Sequence, residues 1–103
     1  MFHYPPFYRL VYIYMKHRDI AVLEEFSELM GQQLRRIFEN RILGPDLPPV
    51  ARVKELYIRK IVLKIESGLS QYKVNETLQA LQQALTDNAR YRSIIMYYDI
   101  DPL

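Results

Sequence analysis

Residues 50–66, VARVKELYIRKIVLKIE, hold the densest run of β-branched residues in the chain, interleaved with Arg52, Lys54, Arg59, Lys60 and Lys64. From Ile58 onward the run alternates: Arg59, Ile61, Leu63 and Ile65 fall on one side, and Ile58, Lys60, Val62 and Lys64 on the other. A period of two is a strand's signature, here with an aliphatic row on one face and lysines on the other. Such a strand is expected mid-sheet, with helices over its apolar row and solvent or a polar surface over its lysines.

The rest of the chain supplies partners for it. Residues 8–16 alternate too, with Val11, Ile13 and Met15 in one row and Leu10, Tyr12, Tyr14 and Lys16 in the other. If the two strands pair, the second row lies beside Lys60 and Lys64. Residues 93–100, SIIMYYDI, read as a closing strand with Ile94, Met96 and Tyr98 on one face and Ile95, Tyr97 and Asp99 on the other.

Two helices separate these strands. Asp19 is placed as an N-cap, followed by Glu24 and Glu25 near the positive end of the macrodipole. Leu23, Phe26, Met30, Leu34, Ile37 and Phe38 then form an apolar stripe, flanked by Leu29, on a helix expected to end near Asn40. Residues 67–70, SGLS, break the central strand, and Ser67 or Ser70 is placed to cap the next helix. There Val74, Leu78, Leu81 and Leu85 recur at helical spacing, with Thr77, Ala80 and Ala84 filling in. Gln71, Lys73, Asn75, Gln79, Gln82 and Gln83 take the wet side. Residues 41–49, with Gly44-Pro45 and Pro48-Pro49, read as a loop leading to a strand at 50–54, and 55–57 as a turn or bulge.

The order strand, helix, strand, strand, helix, strand predicts an α+β, ferredoxin-like βαββαβ sandwich: a four-stranded antiparallel sheet with both helices on one face. The first and third strands are central in that fold. At 103 residues the chain is expected to be a single domain, with 1–7 as a lead-in that Pro5 and Pro6 keep extended. Met1 followed directly by Phe-His-Tyr-Pro-Pro reads as a boundary cut into a longer protein.

Composition narrows the function. The net charge of +2 does not by itself imply a nucleic-acid partner, and the basic residues cluster at 52–64. There is no cysteine, hence no disulfide or thiolate metal site, and no apolar run near the ~20 residues that span a membrane. A cytoplasmic location is the default expectation. His3 and His17 lie at opposite ends of the first strand, and Asp99 and Asp101 flank a chain end beside Pro102, where carboxylates serve as turn formers. No phosphate loop, dinucleotide fingerprint or Ser–His–Asp pattern is present, so neither catalysis nor a cofactor is expected of this chain alone.

The open sheet face carries the one suggestive pattern. Tyr12, Tyr14, Lys16, Lys60, Lys64 and Tyr97 would share it, with Val62 and Ile95 between. Aromatics interleaved with lysines hold single-stranded nucleic acid by stacking bases and pairing phosphates. The same pattern also suits packing against another domain, or a solvated amphipathic sheet.

Four motifs in order carry a family resemblance: Tyr4-Pro5-Pro6-Phe7, Leu43-Gly44-Pro45, Tyr57-Ile58-Arg59-Lys60-Ile61-Val62-Leu63-Lys64 and Asp99-Ile100-Asp101-Pro102. Over essentially its whole length the chain resembles the C-terminal domain of the primosomal protein N′ family of bacterial replication-restart helicases. The resemblance implies a ferredoxin-like fold similar to a small-subunit ribosomal protein. It also implies a fragment of an ATP-dependent 3′ to 5′ DNA helicase whose ATP-binding lobes and zinc-binding insertion lie upstream. The implied partners are forked or single-stranded DNA, the helicase core of the same chain, and the acidic tail of single-stranded-DNA-binding protein. For that tail, Gln71 matches the family's Gln at the start of the second helix, and Lys73 stands in for its Arg. The family often carries a basic residue where Ile58 stands and an aromatic at Arg59, which would shift the basic surface by one position here.

Overall fold

The computed structural model describes residues 8–48, 52–66 and 71–100. Strand β1 (Tyr8–His17) leads into helix α1 (Ile20–Phe38), a 3-10 turn (Glu39–Arg41) and strand β2 (Ile42–Asp46). Short strand β3 (Arg52–Val53) and long strand β4 (Leu56–Glu66) follow, then helix α2 (Gln71–Thr86), a 3-10 turn (Ala89–Tyr91) and strand β5 (Ile95–Ile100). The sheet runs β2-β4-β1-β5, every pair antiparallel, with β3 pairing β4. The expected ferredoxin-like order is therefore present, with β1 and β4 at its centre and five strands where four were expected.

The second strand differs from the sequence reading. It starts directly after the 3-10 turn, at Ile42, in the stretch read as a loop. Gly44 and Pro45 sit inside it, joined by a cis peptide bond, and the register with β4 shifts between Leu43 and Asp46. A proline, which lacks an N–H, is tolerated here because β2 is an edge strand. Of the strand expected at 50–54, Arg52 and Val53 do pair with β4. The turn is Lys54–Glu55, with Lys54 at φ 58, and Leu56 and Tyr57 already belong to β4. A two-residue hairpin favours positive φ, but lysine gives no sequence signal for it.

The core lies between the sheet and the helix layer. Val11, Ile13 and Met15 of β1 and Ile61, Leu63 and Ile65 of β4 meet Leu23, Phe26, Met30 and Leu34 of α1 and Val74 and Leu78 of α2. Asp19 caps α1, its Oδ1 accepting from the Ala21 N–H at 2.9 Å and the Val22 N–H at 3.4 Å. Two details of the helices differ from expectation. Ile37 is 48% exposed, and the buried stripe instead takes in Val22, Ser27 and Gly31. In α2, Leu81 and Leu85 are only half-buried, Gln82 is half-buried, and Ala80 and Ala84 face solvent. The lead-in at 1–7, His3, Asp101 and the capping serines Ser67 and Ser70 lie outside the described residues.

Candidate nucleic-acid interface

The open face is a grid fixed by the pairing of β1 with its two neighbours. Lys64 stands opposite Leu10; Val62, Tyr12 and Asp99 form the next row; Lys60, Tyr14 and Tyr97 the next; and Ile58, Lys16 and Ile95 the last. On β2, Leu43 extends the row of Val62 and Asp46 extends the row of Lys60. All six sequence-nominated residues, Tyr12, Tyr14, Lys16, Lys60, Lys64 and Tyr97, thus share one surface opposite the helices.

Their side chains are organised by one another. The Tyr14 and Tyr97 rings stack at 4.8 Å with a 15° interplanar angle, and Tyr12 meets Tyr14 edge-on at 6.3 Å. The Lys16 ammonium lies 4.9 Å from the Tyr97 centroid, and the Lys60 ammonium 4.6 Å from that of Tyr12. At exposed sites a cation–π contact contributes only about 0.5–1 kcal/mol, so it seats the ammonium without removing it from solvent. Burial, then the neighbouring Tyr97, Asp99 and Tyr12, push the Tyr14 hydroxyl above its ordinary pKa. It stays neutral at physiological pH and adds no negative charge to the face.

Charge is distributed by strand. The central strands contribute Lys16, Lys60 and Lys64 to this face, while the outer strands contribute Asp46 and Asp99. A positive stripe therefore runs along the middle of the sheet, bordered by acidic residues. Arg59 does not join it: its guanidinium turns to the helix layer, donating to the Ile58 carbonyl at 3.0 Å and meeting Glu24 of α1 at 3.4 Å. Ile58 is 4% exposed, so the expected one-position shift of the basic surface onto Arg59 is not what the fold builds.

The other nominated pair lies elsewhere. Gln71 opens α2 and Lys73 is exposed on its first turn, in the helix layer and away from the tyrosine–lysine face. The side chain of Gln71 is outside the described residues. Leu43, 56% exposed on the open face, was hidden by reading 41–49 as a loop, and its pairing with Val62 of β4 is what places it.

A histidine–serine contact also occurs, between His17 Nε2 and Ser93 Oγ at 2.8 Å. His17 Nδ1 also accepts the Asp19 N–H at 2.9 Å. The two contacts pin the β1–α1 turn to the residues just before β5. Among the described residues, no three His, Cys, Asp or Glu are gathered as a metal site would need. No helix among them is long and apolar enough to cross a membrane.

A ferredoxin-like sheet with helices on one side and an ordered tyrosine–lysine ladder on the other defines a small α+β domain with one open sheet face. The chain belongs to the primosomal protein N C-terminal domain family, whose model matches residues 1–103. It is 26% identical over 105 residues to the replication restart protein PriA of Bacillus subtilis (strain 168), a match covering 96% of this chain. The chain spans 12% of the length of that curated relative. It is accordingly a C-terminal domain of the PriA type.

Proposed function

We propose that this domain contacts forked or single-stranded DNA through its open sheet face, as part of a longer, cytoplasmic replication-restart helicase. The Tyr14–Tyr97 stack, with Lys16 and Lys60 seated on the same ladder, carries this reading. Tyr12, Tyr14 and Tyr97 offer ring edges and faces to unstacked bases, and Lys16, Lys60 and Lys64 neutralise phosphates along the central strands. ATP hydrolysis, zinc binding and 3′ to 5′ unwinding are assigned to the rest of such a protein and not to this chain. The acidic tail of single-stranded-DNA-binding protein, if it binds here, is assigned to Gln71 and Lys73 in the helix layer, separate from the DNA surface.

A second reading has its own observation. Leu43 and Ile95, 56% and 50% exposed, flank the basic stripe with apolar surface suited to packing on the helicase core. Titration of forked DNA with the parent and with Lys60→Glu/Lys64→Glu separates the two. DNA contact predicts at least tenfold weaker binding by the variant, about 1.4 kcal/mol. Unchanged DNA affinity, with loss of affinity for an isolated helicase core, assigns the face to docking.

A further inference from the structure

The two edges of the sheet are finished differently. At β2 the ladder is interrupted by Gly44 and Pro45 and by the register shift between Leu43 and Asp46. Proline and irregular register are standard protections against a foreign strand. At the other edge, β5 reads IMYYDI, is paired to β1 in unbroken register from Ile95 to Ile100, and carries one charge, Asp99. Among the described residues nothing pairs with its outer side.

A groove lies beneath this open edge. Gln79, Gln82, Gln83 and Thr86 of α2, with Tyr98 of β5, line an open volume of about 320 Å³ that contains carboxamides and hydroxyls but no Asp, Glu, Lys, Arg or His. The Tyr98 hydroxyl donates to Gln82 Oε1 at 2.7 Å, which ties the helix to the strand and fixes the groove's floor.

We propose that the outer edge of β5 is a strand-addition site for an extended peptide segment of a separate protein. Its backbone pairs antiparallel with β5, which supplies the affinity, and its side chains alternate between two environments. Those opposite Ile95 and Tyr97 lie on the open-face side beside exposed apolar surface and are apolar. Those opposite Met96 and Tyr98 project over the uncharged groove and are hydrogen-bonding but uncharged. The residue opposite Asp99 is basic. Charge complementarity selects this occupant over a second copy: another β5 brings a further aspartate to the pairing and no lysine or arginine. The pairing groups are main-chain atoms at the sheet's rim, while the peptide's apolar side chains share Ile95 and Tyr97 with the open face.

The probe is a capped peptide, Thr-Lys-Thr-Val-Gln-Val-Thr, which sets Lys opposite Asp99, Val opposite Tyr97 and Ile95, and Thr and Gln over the groove. Two control peptides carry N-methyl groups on one or the other alternating set of residues. Binding to the full 103-residue chain is followed by amide hydrogen exchange and by titration. At saturation, alternate amides of β5 should gain about tenfold or more protection, and only one of the two N-methylated peptides should still bind. Ile95→Lys/Gln83→Lys, with an unchanged melting temperature, should weaken the parent peptide about tenfold. Equal binding of both N-methylated peptides, or no added protection in β5, overturns the proposal. Protection already present in the free protein overturns it too: if it grows with protein concentration the occupant is a second copy, and if not, the chain covers its own edge.

Discussion

Gly44 is held where few other residues fit. Its φ is +104°, and a Cβ added there would stand 2.8 Å from the Lys60 carbonyl oxygen. Its own carbonyl accepts from the Arg35 guanidinium, so strand β2 is fastened to helix α1 at this point. Gly44→Ala should therefore cost about 2 kcal/mol or more, read as a lower urea midpoint; an unchanged midpoint would mean the backbone relaxes freely here. Tyr98 supplies a pH test. Burial pushes its hydroxyl up to about 12. Because the folded value lies above the unfolded one near 10, its contribution is whole below about pH 10 and is lost as pH rises toward 12. The parent should lose more stability than Tyr98→Phe across that interval, and identical pH profiles would contradict the assignment. Residues of this kind explain where the sequence was opaque. Gly44-Pro45 carries a strong loop signal, and only the edge position of β2 and the close passage of Lys60 make it a strand. Tyr91 is similar: it is buried against Phe26 at 5.4 Å with its hydroxyl on Glu25, yet no periodicity in residues 88–93 announces it.

At the scale of elements, alternation and helical spacing were legible wherever burial is one-sided. β1, β4 and β5 have the faces that their rows of Ile, Val, Leu, Met and Tyr imply, because a one-residue slip would turn an entire row outward. Helix ends and flanks were less legible. Ile37 fits a stripe of period 3.6, but the last turn of α1 directs it to solvent, and α2 covers less of the sheet than its leucines suggest. The consequence is graded. Leu34→Ala and Leu63→Ala, both fully buried, should each cost roughly 2–5 kcal/mol. Leu81→Ala should cost about half as much, and Ile37→Ala no more than about 0.5 kcal/mol. Urea denaturation of the four variants checks the ranking; an Ile37→Ala as damaging as Leu34→Ala would place the α1 stripe wrongly. At the hairpin, Lys54→Gly should stabilise by about 0.5–1 kcal/mol, since Lys54 adopts φ 58 at a steric cost that glycine avoids.

For the whole molecule, the division of labour follows from placing both helices on one side. One sheet face is committed to the core, and the other is left to present the tyrosine ladder and the lysines of the central strands. That grouping was readable from the sequence because it depends only on the parity of three strands. Which rings touch depended on register, and the Asp46 side of the acidic border on the existence of β2, neither of which parity supplies. The most direct test of the open face as a DNA surface is the salt dependence of single-stranded DNA binding by the 103-residue chain. Three lysines neutralising phosphates predict log K falling with log salt at a slope of roughly −2 in the parent. Lys60→Glu/Lys64→Glu should flatten it by about 1.4 units without altering sequence preference. A parent slope near zero, or a variant slope equal to the parent's, would contradict the account.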